Sequence, residues 1–419
     1  MMLRRRLFLA AGLAAGLAIP SVAIPTAASA DDTIKVGVLA TFEGAFTVLG
    51  EDSMRGAIMA IDDFGGKVGG KKIEIVKGSS DGSPDSAVRA IRKLVEQDGV
   101  KVVVGPLSGD EGLAVKDYLK TKPDVTVVNG TSAAQDTTLR DPAPNFFRFS
   151  TDGAQWMAGL GDYAYTTKGY KKVAVLAEDY SFPYTQVFGF MAPFCKAGGH
   201  VVKKFWVPIG TKDFSSVIAA MPDNIDAIYV VLGGADSVNF LTQYQQAGGQ
   251  APLIGGSVTV DQTILGSKGK IHDVVIGTPS AGPIADDNKT AEWEKFVAAY
   301  KKQPNAFPSP SLFAHGYYVN MTALLTALGK VNADVSDGGG KLRTTLASLV
   351  LETPTGKVSL DKNRNAIADE FLTEVAKNAD GTLYNKLVKV VPQVNQTLGI
   401  PEAEFLALGK ASRDNPNCP

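Results

Sequence analysis

Residues 101–119 read KVVVGPLSGDEGLAVKDYL: an apolar strand, a turn with glycine and proline, and a helix. The run 100–104 is short and apolar, as a parallel strand covered on both faces should be. A helix is expected from about 110 to 119, and Ser108 and Glu111 stand at the spacing of a capping box. A strand that hands the chain straight to a helix start is the unit of an open, doubly wound parallel sheet.

The same unit recurs on either side. Strands are expected at 34–39, 72–76 and 125–128. The helix at 52–64 is stopped by Gly65-Gly66, and another follows Pro84. The pattern then restarts. Strands are expected at 173–176, 201–206, 227–232, 253–254 and 274–277, with helices at 184–196, 215–221 and 238–246 between them. Three late helices (291–301, 311–328, 342–351) and three late strands (357–360, 371–375, 385–391) are too few for a third domain and should complete the first two. The fold class is therefore α/β, with two doubly wound parallel-sheet lobes in series. Open α/β sheets bind ligands beyond the carboxyl ends of their strands, so two facing lobes make a cleft that a hinge can close.

The first thirty residues read as an export signal. Arg4, Arg5 and Arg6 precede an apolar stretch, and Ala28-Ser29-Ala30 offers small residues for cleavage after Ala30. Gly12, Gly16 and Pro20 interrupt the stretch and make it a poor permanent anchor. Both a Sec signal and a twin-arginine signal fit. The mature chain is then expected in the periplasm. It loses three arginines and no acid, so it is more acidic than the whole chain's −1. Nothing in this balance suggests nucleic acid. The two cysteines, Cys195 and Cys418, are even in number in an oxidising compartment, which favours one disulfide tying the tail to the second lobe; two unpaired thiols are the alternative.

Chemistry-bearing patterns are few. His200, His272 and His315 are scattered without ligand spacing, so no metal and no cofactor is expected. There is no Gly-x-Ser-x-Gly elbow and no P-loop, and no nucleophile with an adjacent base stands out, so an enzyme is not expected. Three loops at strand ends remain. Ser108, Gly109 and Asp110 open a helix whose amides could hold an anion. Ser132, Ala133 and Gln135 follow the 125–128 strand, where small residues let a ligand approach the backbone. Tyr180 and Phe182 lie in an aromatic cluster able to clasp an apolar body.

Several further segments, in order, complete a resemblance. They are the 34–39 strand with Gly44 and Gly50, DGSP at 81–84, VVVGP at 102–106, AAQD at 133–136, Phe147-Arg148, DYSF at 179–182, TKDFS at 211–215, DAIY at 226–229 and TGKVSL at 355–360. Together the set resembles the solute-binding proteins of branched-chain amino acid type ABC transporters, the type I periplasmic binding fold. The resemblance implies a three-crossing hinge. It also implies a signal at 1–30, a first lobe of 31–150 plus about 280–345, a second lobe of 151–279 plus about 346–395, and a tail at 396–419. It implies a small-molecule ligand, a membrane permease as partner, and a monomer.

The departures from that family bear on the ligand. The family acid that pairs with an amino-acid ammonium falls at Ser257, and a serine that binds the carboxylate falls at Gly109. Aromatic positions fall at Leu49, Phe182 and Ala235. A buried ammonium without a counter-charge is very unfavourable. A small aromatic or other apolar organic acid is therefore the expected ligand, flanked by Phe46, Leu49, Tyr180 and Phe182, with Ser257 and His315 reaching polar substituents. Asp110 or Asp236 replacing the lost acid would keep a branched-chain or other amino acid as the alternative. A sensor that presents its closed form to a membrane receptor is a further one.

Overall fold

A computed structural model describes residues 33–267 and 272–418, with the backbone alone at 272 and 273. The expected signal at 1–30 lies outside the described residues. The first sheet holds β1 (Thr33–Thr41), β2 (Lys67–Val68), β3 (Lys71–Ser80), β4 (Val102–Val104), β5 (Thr126–Val128) and β6 (Phe146–Phe147), in the order β2-β3-β1-β4-β5-β6. All its pairings are parallel except the β2/β3 hairpin. The second sheet holds β7 (Lys172–Glu178), β8 (His200–Val207), β9 (Ala227–Val231) and β10 (Leu253–Gly255), parallel throughout in the order β10-β9-β7-β8. These central strands are buried along nearly their whole length, which is why their sequences run apolar instead of alternating.

Five later strands form an antiparallel sheet: β11 (Pro279–Gly282), β12 (Leu351–Thr353), β13 (Gly356–Leu360), β14 (Ala366–Lys377) and β15 (Leu383–Val394). β14 is the spine, pairing β11, β13 and β15. Its first residue, Ala366, packs in the core around β1 with Val36 and Leu328, whereas its Val375 packs with Leu176 and Ile228 of the second half. The strand thus crosses between the halves. The chain also crosses after β6 and after β11, giving the three crossings of a type I fold. The helix Leu312–Lys330 packs against Thr47–Asp63, and its Tyr317, Leu324 and Leu328 lie in the first core.

One expected strand is a helix. Residues 272–275 are helical, and the strand begins only at Pro279. A three-residue apolar run carries no usable period. Gly277, at φ +81, breaks the chain before Pro279, which opens the strand as proline can. The helix expected to 351 ends at Ala347, and Leu351–Thr353 becomes a strand paired to β13.

The polar centre of the hinge is Arg148, fully buried behind β6. Its guanidinium donates to the carbonyls of Ala134 (2.7 Å), Ser132 (3.4 Å) and Gln135 (3.4 Å), and to Asn365 Oδ1 (2.7 Å). Asp152 faces it at 3.8 Å and caps the helix Gly153–Trp156. Burial lowers the Arg148 pKa to about 10, with Asp152 opposing the shift. Gln396 closes the cluster from the tail, donating to Asp152 Oδ2 at 3.0 Å and to Thr138 Oγ1 at 2.9 Å. The tail then runs over both halves. Gly409 O accepts from Arg140 at 3.0 Å, Phe405 packs edge-on to Phe188, Arg413 pairs with Asp179, and Cys418 is bonded to Cys195.

Candidate functional site

The carboxyl ends of β1, β4, β7 and β9 face a common space. Beyond β4 the turn needs glycine: Gly105 has φ +140, and a Cβ there would lie 2.2 Å from Leu39 O. The turn leads into Ser108, whose N–H donates to Glu111 Oε2 at 2.8 Å, completing the expected capping box. The Ser108 hydroxyl donates to Gly82 O at 3.0 Å, so its proton is spent within the protein. Gly109 then starts the helix against the opposite wall. A Cβ at Gly109 would sit 2.7 Å from Ser181 Oγ and 2.9 Å from Phe182 N, so glycine alone lets the halves meet here.

Between them lies a small cavity of about 20 Å³. Of the residues expected from sequence, Phe46, Leu49, Ser108, Gly109, Tyr180 and Phe182 line it. Four rings form a belt. Phe46 lies 6.3 Å from Tyr180 between centroids, Tyr180 lies 6.1 Å from Phe182, and Phe182 meets Trp156 edge-on at 5.6 Å. All four are buried. Leu107, Thr131, Gly233, Val258 and Phe313 complete the wall with Trp156. No charged side chain lines this cavity among the described residues.

The remaining expected residues stand elsewhere. Asp110 turns to the second half, where its Oδ1 accepts the Ser181 N–H at 3.0 Å. Ser132 points its hydroxyl at the Gly112 backbone, where a Cβ would come within 1.8 Å of it. Ala133 O accepts the Gly153 N–H at 2.9 Å, and the Gln135 N–H donates to Thr185 Oγ1 at 3.3 Å. Ala235 is exposed. Asp236 accepts the Gly210 N–H at 2.7 Å, and burial pushes its carboxyl up to about 6 beside Glu178, which burial holds well above the usual carboxylate range. Ser257 is locked to Gln186, accepting from Nε2 at 2.7 Å, and lines a neighbouring void of about 20 Å³. His315 lines a third void of about 20 Å³ on the hinge side, its Nε2 3.2 Å from Thr355 Oγ1. Burial pushes the His315 pKa down to about 3, so the ring is neutral.

The missed wall residues have a common cause. Thr131 stands next to the favoured Ser132 in the same loop, and only the backbone path decides which side chain lines the cavity. Trp156 and Phe313 lie one turn or less into helices, where a large apolar residue reads as core. Gly233 is two residues before the aligned Ala235.

Residues 33–381 match the family model described as periplasmic binding protein. The chain belongs to the periplasmic binding protein family. It is a solute-binding component of an ABC transporter, of a kind that carries small ligands and works with a membrane permease. Its relatives include Leu/Ile/Val-binding protein homolog 6 of Brucella melitensis, 26% identical over 380 residues, covering 89% of this chain and 95% of the relative. Among solved structures, an ABC transporter substrate-binding protein from Sphaerobacter thermophilus is 30% identical with a TM-score of 0.77, covering 87% of this chain and 99% of the other. A solute-binding protein from Rhodopseudomonas palustris BisB5, solved in complex with 3,4-dihydroxy benzoic acid, is 28% identical with a TM-score of 0.80, over 87% of this chain and 99% of the other. Members of this family bind and deliver solutes and do not transform them. No described helix is long and apolar enough to cross a membrane.

Proposed function

We propose that this periplasmic binding protein takes a small aromatic carboxylic acid between its lobes and delivers it to the permease. The observation that carries the reading is the uncharged, four-ring cavity of Phe46, Tyr180, Phe182 and Trp156. An aromatic body is stabilised there by apolar burial and edge contacts. Its carboxylate sits at the start of the helix Gly109–Leu119, against the Gly109 amide, where the helix dipole favours an anion. Both acids that might have received an ammonium are engaged: Asp110 with Ser181 and Asp236 with Gly210 and Glu178. The complex of the Rhodopseudomonas relative with a dihydroxybenzoic acid supports the same ligand class.

In this reading residues 31–150 plus about 280–345 form the first lobe, 151–279 plus about 346–395 the second, and 396–419 the tail. The protein is exported with cleavage after Ala30 and works as a monomer. The second reading, a branched-chain amino acid, is favoured by the Leu/Ile/Val naming of the Brucella relative. Calorimetry on refolded, ligand-free protein decides between them. Binding of 4-hydroxybenzoate or 3,4-dihydroxybenzoate with no heat from leucine, isoleucine or valine is the expected result. Tight leucine binding with no aromatic acid bound would replace this reading with the second.

A further inference from the structure

Two voids meet at one side chain. The four-ring cavity and the hinge-side void that holds His315 share the wall residues Thr131 and Trp156. Thr131 is small, so the indole is the partition. It is buried at 2% exposure and held from three directions. Its Nε1–H donates to Thr151 Oγ1 at 2.9 Å, its ring makes a T-shaped contact with Phe182, and its backbone lies in the helix capped by Asp152. Behind the partition the hinge-side void, about 20 Å³ while the indole is in place, is unlike the front one. It has an apolar lining from Phe149, Leu312 and Val319, but it also carries His315, Thr355 and Asp369.

We infer that Trp156 sets the length of the ligand, confining it to the front cavity and closing off a hinge-side subsite that would otherwise receive the distal group of a longer acid. This rests on the aromatic-acid reading for the class of ligand, though not for the partition. A carboxylate placed at Gly109 directs the body of the ligand along the belt of rings toward Trp156. The space before the indole is small, and an additional two- or three-carbon spacer has nowhere to go while the indole stays. Thr151 is the positioning residue. Without its hydroxyl the indole loses its hydrogen-bond acceptor and gains rotamer freedom.

The test is a length series measured by calorimetry on wild type, Trp156→Ala and Thr151→Val: benzoate, phenylacetate, 3-phenylpropanoate and 4-phenylbutanoate, with leucine and phenylalanine as a parallel amino-acid pair. The wild type is expected to bind benzoate best and each longer acid at least tenfold more weakly. Trp156→Ala is expected to reverse that order, with 3-phenylpropanoate gaining at least tenfold relative to benzoate. Thr151→Val, which leaves the core volume nearly intact, should move the ratio the same way by a smaller factor and keeps the test open if Trp156→Ala does not fold. Uniform weakening of every ligand in both variants overturns the partition. A wild type that binds the amino acids and no aromatic acid overturns the aromatic reading alone; the partition is then scored by whether either variant shifts preference from leucine to the longer phenylalanine. If neither series binds wild type or variants, both proposals fall.

Discussion

Asp110, on the first turn of one half's helix, accepts the backbone N–H of Ser181 in the other half at 3.0 Å. This bond joins the two halves beside the Gly109–Phe182 contact. A carboxylate acceptor makes it one of the stronger hydrogen bonds, worth about 1.5–3 kcal/mol. Asp110→Ala should therefore loosen the closed form and weaken ligand binding by about 10- to 150-fold. Asp110→Asn, which keeps an acceptor, should recover most of it. Spin-label distances across the cleft check this. An unchanged distance distribution in Asp110→Ala would remove the latch role.

The Phe182 ring touches both Tyr180 and Trp156, so it is the middle of the belt. Phe182→Ala should cost roughly 1–3 kcal/mol of binding, or about 5- to 150-fold in affinity for 4-hydroxybenzoate. Calorimetry reads it directly, and an unaltered dissociation constant would place the ligand elsewhere.

Arg148 holds the carbonyls of Ser132, Ala134 and Gln135 while facing Asp152. Arg148→Leu leaves the buried Asp152 carboxylate without its counter-charge and several carbonyls without their guanidinium donor, and a loss of about 3–5 kcal/mol is expected. Arg148→Lys should not rescue it, because an ammonium cannot reproduce the planar fork. Urea melts check both; a lysine variant as stable as wild type would refute the geometric role.

His315 supplies a pH dependence. Its folded pKa is lowered from 6.5 to about 3 by burial, so the unfolded chain binds a proton first as pH falls. The stability it contributes is whole above about pH 6.5 and is lost progressively down to about 3, by at most ~1.4 kcal/mol per pH unit. Buried Asp261 and Asp286, raised to about 6, act in the opposite sense, contributing stability below about pH 4 that is lost as pH rises through 6. The comparison must therefore be with His315→Gln, which carries the same acids. The wild-type advantage over that variant should shrink between pH 6.5 and 4; a constant advantage in thermal melts would contradict the burial argument.

Much of the fold was legible because its strands are buried on both faces and its helices carry capping signals. The 101–119 stretch is strand, turn and capped helix as its residues indicate. The failures were local: the run at 274–277 is too short to have a period, and the edge strands β2, β6 and β12 are too short to stand out. The site was legible where chemistry and position coincide, as at Phe46, Tyr180 and Phe182. It was illegible where orientation decides. Thr131 lines the cavity while Ser132 does not, and Asp110 turns to Ser181, because the direction of a loop side chain follows the backbone path and not the spacing of the motif.

The bond between Cys195 and Cys418 joins positions 223 residues apart, and most of the hinge lies inside the loop it closes. β11, β14 and β15 are all on that covalent ring. A protease that cuts once anywhere between 195 and 418 therefore releases nothing: the pieces stay joined through the sulfur bridge, and a nicked molecule migrates as one chain until a reductant is added. Only a cut before Cys195, or two cuts inside the ring, can shed a fragment. For a protein whose working motion exposes its hinge outside the cytoplasm, the tail is thus a safeguard of chain integrity as well as a fastening for one helix.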